Sequence, residues 1–399
     1  MLHRRASVVI ALLAGAVSAV AAQGTAPGRT WPTVRPADVG VNASVLDSID
    51  TEIKAGRYGF VDRMLVIRHG RVAYDATYTH DYDKIYGDSA KVTNALNPHD
   101  PTGPYNYFSA WWHPWYQNRQ GDLHSLQSVT KTVTSVVIGA AVTRGEFPSI
   151  DTPILQFFDT SKVANIDDRK RRITIRHLLT MTGGFDWNEN LPYIDPNNTG
   201  TLMEASYDWV KYMIDRPMAR EPGSLFNYSS GETELLAHIF RRATGVDVEE
   251  YAARHLFAPL GIERWFWKRT PAGLADTEGG LYLEARDLAR IWYLFSRDGL
   301  WNGQRVVSSD WVRRSVTPSV TVGTGAGAPK YGFKWWLYPD PIDAGKVVWN
   351  GSGFGGQFPM YFPDLDLVAV FYGWNILPGR PSLPLRRVME RLAKSVTAK

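Results

Sequence analysis

From Val129 onward the apolar residues recur at helical spacing. Val133, Val136, Val137, Ala140 and Ala141 fall on one stripe, which predicts a helix that stops near Gly145. Leu235, Leu236, Ile239 and Phe240 repeat that pattern and end at Gly245, a common helix stop. Val45 to Ile53 reads as a short helix, and Leu385 to Val396 as an amphipathic one. Other apolar runs are too short for helices. Met64–Ile67 and Val72–Tyr74 read as strands joined by a turn at His69-Gly70, and Val347–Trp349, Pro359–Phe362 and Leu367–Phe371 as later strands. The stretch from Ile150 to Ile262 reads as helices and loops, and Thr77 to Gly121 as a long irregular segment. Strands near both ends with helices between them predict an α+β fold, an antiparallel sheet flanked by helices with a mainly helical part inserted. The α/β part is expected at about 36–76 and 275–395, and the helical part at about 77–274.

The first residues follow a different pattern. Arg4 and Arg5 precede an apolar run from Ala6 to Ala22, and small residues at Ala19, Ala21 and Ala22 offer a cleavage site near Gln23. This predicts a secretory signal peptide over residues 1–22 and an exported protein, periplasmic or secreted. The run is shorter than the roughly 20 apolar residues of a membrane span, so no stable span is expected after its removal. Residues 23–35, rich in Pro, Gly and Thr, read as a flexible lead-in to a domain covering 36–395. The chain has no cysteine, which excludes disulfides, a thiolate nucleophile and Cys-ligated metal. The formal charge of +4 drops by two when Arg4 and Arg5 leave, too little to point to nucleic acid.

Ser128 is the only serine with a lysine three places later, in Leu126-Gln127-Ser128-Val129-Thr130-Lys131-Thr132. Residues three apart share a helix face, with Cβ atoms about 5–6 Å apart, so Lys131 can reach the Ser128 hydroxyl. A serine hydroxyl is a weak nucleophile until a base takes its proton, and lysine can be that base when its surroundings lower its pKa. At the start of a helix, outward N–H groups also favour developing negative charge.

Two further elements come after it in order. Tyr228-Ser229-Ser230-Gly231 lies just beyond Glu221-Pro222-Gly223, and Trp349-Asn350-Gly351-Ser352-Gly353-Phe354-Gly355-Gly356-Gln357 lies near the C-terminus. The set resembles the S-x-x-K, Y-x-N and K-T-G motifs of the penicillin-recognising serine hydrolases. Ile173–Gly184, Gly280–Ala289 and Tyr331–Trp336 also resemble that superfamily. Over roughly residues 35–395 the chain is most similar to class C β-lactamase-like proteins, especially their esterase and 6-aminohexanoate-dimer hydrolase relatives. The resemblance implies a β-lactamase/transpeptidase-like fold with the site between its two parts. It implies a Ser128 acyl-enzyme, with Lys131 accepting the serine proton and Tyr228 completing the path to the leaving group. It also implies that a backbone N–H in the glycine-rich segment, that of Phe354, pairs with the Ser128 N–H as an oxyanion hole. Gly351, Ser352, Gly353, Phe354 and Ser230 are accordingly candidate substrate-binding positions.

Two departures bear on substrate. The lysine of K-T-G is Gly351 here and the asparagine of Y-x-N is Ser230. The missing cation and amide suit an uncharged ester or linear amide better than a β-lactam. The reading is an exported serine hydrolase acting on a small-molecule ester or amide, with no cofactor. The alternatives are a D,D-peptidase or weak β-lactamase, and a penicillin-binding or sensor module without turnover. Nothing in the sequence sets an oligomeric state.

Rival sites are weak. Gly351–Gly356 matches the letters of a dinucleotide fingerprint, but a strand-like segment containing Pro359 stands after it where a helix is required, so it reads as an edge strand lining the cleft. There is no G-x-S-x-G and no H-E-x-x-H, and His124 and His177 read as structural. Asp186, Asn188 and Glu189 are candidates for lining the cleft or for a solvated loop. Tyr105 to Tyr116 holds seven aromatic residues in twelve, among them Trp111, Trp112 and Trp115, and is a candidate apolar wall over Ser128 or a structural flap.

Overall fold

The computed structural model describes residues 27–28, 30–86, 123–193, 195–325, 327–376 and 379–397. Its centre is an antiparallel sheet of eight strands. They are β1 (Val61–Arg68), β2 (Arg71–Thr77), β3 (Val320–Thr321), β4 (Lys330–Tyr331), β5 (Trp336–Pro339), β6 (Val347–Asn350), β7 (Phe358–Phe362) and β8 (Leu367–Gly373). The order across the sheet is β2-β1-β8-β7-β6-β5-β4-β3, so strands from both ends of the chain meet at the β1–β8 pair. The turn between β1 and β2 places His69 at φ 52° and Gly70 at φ 71°. Positive φ at both central residues gives a turn whose twist matches that of the strands.

Alternation along the strands builds two cores. Leu65, Ile67, Val368, Val370 and Tyr372 face one side, while Met64, Val66, Leu367, Ala369 and Phe371 face the other. The second side is covered by helices α1 (Ala43–Lys54) and α5 (Leu385–Ser395), through Leu46, Ile49, Ile53, Val388, Met389 and Leu392. The first side packs against α4 (Ala285–Ser296) and continues into the helical region, which contains α2 (Val129–Thr143) and α3 (Ser230–Thr244). Helix α2 is buried on every side from Val129 to Ala141, as a helix with apolar and small residues all round must be. Helix α3 ends at Gly245, whose φ of 80° is the left-handed cap.

Three expectations change. The lead-in is docked rather than flexible from Trp31. That residue is 3 % exposed, its indole donates to the Arg286 carbonyl at 3.1 Å, and Val34 N–H pairs with the Val72 carbonyl at 2.9 Å. An aromatic residue that can bury itself offsets the entropy of ordering the Pro-Gly segment around it. The irregular stretch after Thr77 begins with a short helix, Tyr82–Tyr86. The glycine-rich segment Gly351–Gly356 is not an edge strand but the turn joining β6 to β7, and β6 itself lies inside the sheet, paired with β5 through Trp336–Asn350 and with β7 through Trp349–Tyr361. Residues 1–22, read as a signal peptide, lie outside the described residues. Among the described residues no helix is long and apolar enough to cross a membrane.

Candidate active site

Ser128 caps the N-terminus of α2, at φ −61° and ψ −8°. The residue before it, Gln127, is held in the left-handed region at φ 48°, a strained turn of the kind that accumulates at functional sites. A short strand, Leu281–Leu283, fixes this turn. Leu126 N–H donates to the Leu281 carbonyl at 2.9 Å, and Leu281 N–H donates to Thr130 Oγ1 at 3.2 Å. Lys131 lies one turn along and is 1 % exposed. Its Nζ donates to Ser128 Oγ at 2.9 Å, to the Glu278 carbonyl at 2.8 Å and to Glu278 Oε2 at 3.0 Å.

Tyr228 comes from the segment that leads into α3. Lys131 Nζ lies 5.2 Å from its ring centre. The ring stacks on Trp336 of β5, with centroids 6.1 Å apart. Ser128, Lys131 and Tyr228 thus come together from two helix N-termini. Burial works against the Lys131 charge, but Tyr228, Glu278 and Glu189 outweigh it and raise the lysine above its ordinary range. Burial also raises Tyr228, and the Lys131 charge offsets part of that rise.

The other described candidates make the following contacts. Ser230 donates through its N–H to Glu189 Oε2 at 2.8 Å and through its hydroxyl to Glu189 Oε1 at 2.7 Å. Trp187 Nε1 donates to the same carboxylate at 2.9 Å. Glu189 therefore belongs to the site, while Asp186 pairs with Arg216 at the surface and Asn188 is exposed. Gly351, Ser352, Gly353 and Phe354 run off the end of β6 into the turn before β7. A Cβ on Gly353 would lie 2.4 Å from the Leu126 carbonyl oxygen, so only glycine lets this turn rest against the segment before Ser128. Gly351 packs against Pro359 and Trp292, and the Phe354 ring meets Tyr193 edge to face at 5.1 Å. The next element along the chain is strand β7 rather than a helix, so the nucleotide reading stays rejected. Trp111, Trp112 and the aromatic segment around them lie outside the described residues. His124 is bonded to Asp62 at 3.0 Å and His177 accepts from Thr174 N–H at 3.1 Å.

Sequence reasoning missed the acidic layer under Lys131. Glu278 is joined there by Glu204, Glu234 and Asp276. Burial and mutual repulsion hold Glu204 and Glu234 well above the carboxylate range and push Asp276 up to about 7. Burial opposes the Glu278 charge too, but Lys131 overrides it and lowers that carboxyl. The available signal was Asp276-Thr277-Glu278-Gly279-Gly280, two acids just ahead of an apolar strand. Among the described residues no group of His, Cys, Asp and Glu could hold a metal ion.

The family model described as Beta-lactamase matches residues 55–382. Over 270 residues the chain is 27% identical to 6-aminohexanoate-dimer hydrolase of Paenarthrobacter ureafaciens, covering 62% of this chain and 65% of that protein. Over 149 residues it is 29% identical to monacolin J acid methylbutanoyltransferase of Aspergillus terreus, covering 34% and 36%. The chain thus spans less than two thirds of the length of these relatives. A family VIII carboxylesterase structure superposes with a TM-score of 0.61 at 14% identity, covering 88% of this chain and 97% of that one, which bears on the fold alone.

Proposed function

The chain belongs to the beta-lactamase family, and from that premise we propose that it is an exported serine hydrolase cleaving an ester or linear amide bond through an acyl-enzyme on Ser128. The observation that carries the reading is the 2.9 Å hydrogen bond between Lys131 Nζ and Ser128 Oγ, with the Tyr228 ring 5.2 Å from the same Nζ. A nucleophile, its proton-transfer partners and a buried charge in one place are what covalent acyl transfer needs. Ser128 Oγ attacks the carbonyl, Lys131 and Tyr228 manage its proton, and backbone N–H groups receive the oxyanion. The Ser128 N–H and that of Phe354 are the donors assigned to that task, and such donors are worth about 2.7–4 kcal/mol each in the transition state. Export by cleavage near Gln23 completes the reading, and N-terminal sequencing of the secreted protein tests it.

Substrate class is set by the groups that stand around the nucleophile. Gly351 offers no ammonium to a β-lactam carboxylate, and the hydroxyl and N–H of Ser230 are already spent on Glu189. The nearby carboxylates of Glu189 and Glu278 disfavour an anionic substrate further. Among the described residues Lys334 is the basic side chain placed to substitute, and it is 1 % exposed and lowered by burial to about 7. Short-chain p-nitrophenyl esters are therefore hydrolysed with a higher kcat/KM than benzylpenicillin or cephalothin. A β-lactam turned over faster than the ester rejects this substrate assignment.

A further inference from the structure

The turn that carries the Phe354 N–H is fixed only weakly by its own residues. Four of the six residues from Gly351 to Gly356 are glycine, and Gly355 and Gly356 stand at φ 92° and 117°. Glycine loses more conformational freedom on ordering than any other residue, so such a turn needs restraint from outside. We propose that Gln357 is a positioning residue that holds this turn at a set distance from the segment before Ser128, and so spaces the two oxyanion donors. The inference rests on the reading of Ser128 as nucleophile, with the Ser128 and Phe354 N–H groups receiving the oxyanion.

Gln357 is 0 % exposed and closes the neck of the turn. Gly353 N–H donates to the Gln357 carbonyl at 2.9 Å, and the N–H groups of Gly356 and Gln357 donate to the Gly353 carbonyl at 3.1 and 3.3 Å. These bonds set the shape of the loop but not its place on the sheet. The Gln357 side chain supplies the place. Its Nε2 donates to the Gly373 carbonyl at 2.7 Å, which ties the neck of the turn to the last residue of β8. Asn375 ties the tip in a similar way. Its N–H donates to the Gly355 carbonyl at 2.9 Å, and its Oδ1 accepts from Phe60 N–H at 2.6 Å.

The same side chain meets the other half of the site. A Cβ on Gly353 would lie 2.9 Å from Gln357 Cβ, 3.0 Å from Gln357 Oε1 and 2.4 Å from the Leu126 carbonyl oxygen. Gly353, the Gln357 side chain and the Leu126 carbonyl therefore crowd one small space, two residues before Ser128. A shift of Gln357 moves Phe354 relative to Ser128. Packing alone does not account for an amide here. Gln357 Oε1 has no hydrogen-bond partner among the described residues, and a buried acceptor left unpaired destabilises a fold. An apolar side chain of the same length would fill the space without that cost. What the amide adds is the N–H bond to Gly373. An oxyanion donor must lie about 2.7–3.1 Å from the oxygen as it becomes charged, which is the precision this bond serves.

The test compares p-nitrophenyl acetate with its thiono analogue, in which sulfur replaces the carbonyl oxygen. Sulfur is the weaker hydrogen-bond acceptor, so the preference for the oxo ester reports how well the donors are placed. Gln357→Met and Gln357→Glu, the latter assayed at pH 8, keep the length of the side chain and lose the donor. Active sites are counted by complete fluorophosphonate labelling. In each variant kcat per active site is expected to fall about 10–10²-fold, less than the roughly 10²–10³-fold cost of deleting an oxyanion donor outright. KM is expected to stay within about twofold, because the interaction is made only in the transition state. The oxo-over-thiono preference in kcat/KM is expected to shrink about tenfold, in step with the lost stabilisation. An unchanged preference in a folded variant overturns the inference, whatever happens to kcat or Tm. A crystal structure of the wild-type fluorophosphonate adduct tests it without any variant. The phosphoryl oxygen is expected between the Ser128 and Phe354 nitrogens, with Gln357 still bonded to Gly373. A Gln357 side chain detached from Gly373 in that adduct overturns the inference as well. A wild-type chain not labelled on Ser128, or one with no oxo preference beyond that of spontaneous hydrolysis, overturns the underlying reading and this inference with it. A labelled chain whose preference survives in both variants overturns this inference alone.

Discussion

Glu232 and Lys334 are 2 % and 1 % exposed, and neither Glu232 Oε2 nor Lys334 Nζ has a hydrogen-bond partner among the described residues. Glu232 Oε1 accepts from Gly183 N–H at 3.0 Å, and the Thr132 hydroxyl donates to the Lys334 carbonyl at 2.7 Å. The two residues therefore join the loop at Gly183 to α3 and the turn before β5 to α2. Burial lifts Glu232 to about 8 and lowers Lys334 to about 7. A carboxyl whose folded value lies above its unfolded one contributes stability fully present below the ordinary glutamate range and lost as pH rises through the folded value. Glu232→Gln removes that dependence and keeps the acceptor for Gly183. Its Tm relative to wild type is expected to rise from about pH 5 to about pH 9, across the window in which the glutamate is forced to ionise. A Tm difference that stays constant across that range would mean that Glu232 does not titrate in the fold.

At the scale of elements, helix α2 holds Ser128 by being packed on all sides. Gly139 shows how closely it is packed, since a Cβ there would lie 2.3 Å from Trp311 Cδ1. In an exposed helix Gly→Ala gains about 1 kcal/mol. Here the indole must move, and overpacking of this kind costs about 1–3 kcal/mol. Gly139→Ala is therefore expected to lower Tm and change tryptophan emission, and a stabilised variant would show that the helix has room to shift. The features legible in the sequence divide along the same line. The S-x-x-K spacing is set by a single helical turn, so Ser128 and Lys131 could be placed together from their numbers. The His69-Gly70 turn and the ends of α2, α3 and α5 were equally local. Glu278 lies 147 residues from Lys131 and reaches it only because Leu281–Leu283 pairs beside the nucleophile segment. No local pattern encodes that. Gly351–Gly356 reads as an edge strand for a related reason: that it turns between two interior strands follows from the pairing of β6 with β5 and β7, which only the sheet shows. Trp31 was hidden by the Pro and Gly around it, which report backbone freedom and not what a neighbouring indole can bury.

For the whole molecule, the sheet gathers strands from both ends of the chain, while the residues proposed to act on substrate come mostly from the region between them. Ser128 and Lys131 sit on α2 and Tyr228 just before α3. Glu278 precedes the strand that pins α2, and the glycine-rich turn reaches in from the end of β6. The fold thus brings a buried positive charge and a strained serine turn together with a phenol and an acidic layer, and no single element contains that set. The central claim is that this assembly forms a covalent acyl-enzyme on Ser128. Intact-mass and peptide-mapping spectrometry of the protein, acid-quenched during turnover of a short p-nitrophenyl ester, tests it directly. The account predicts one acyl group per chain, located on the peptide containing Ser128 and absent from Ser128→Ala, which also fails to turn over the ester. An adduct on any other residue, or undiminished turnover by Ser128→Ala, would contradict it.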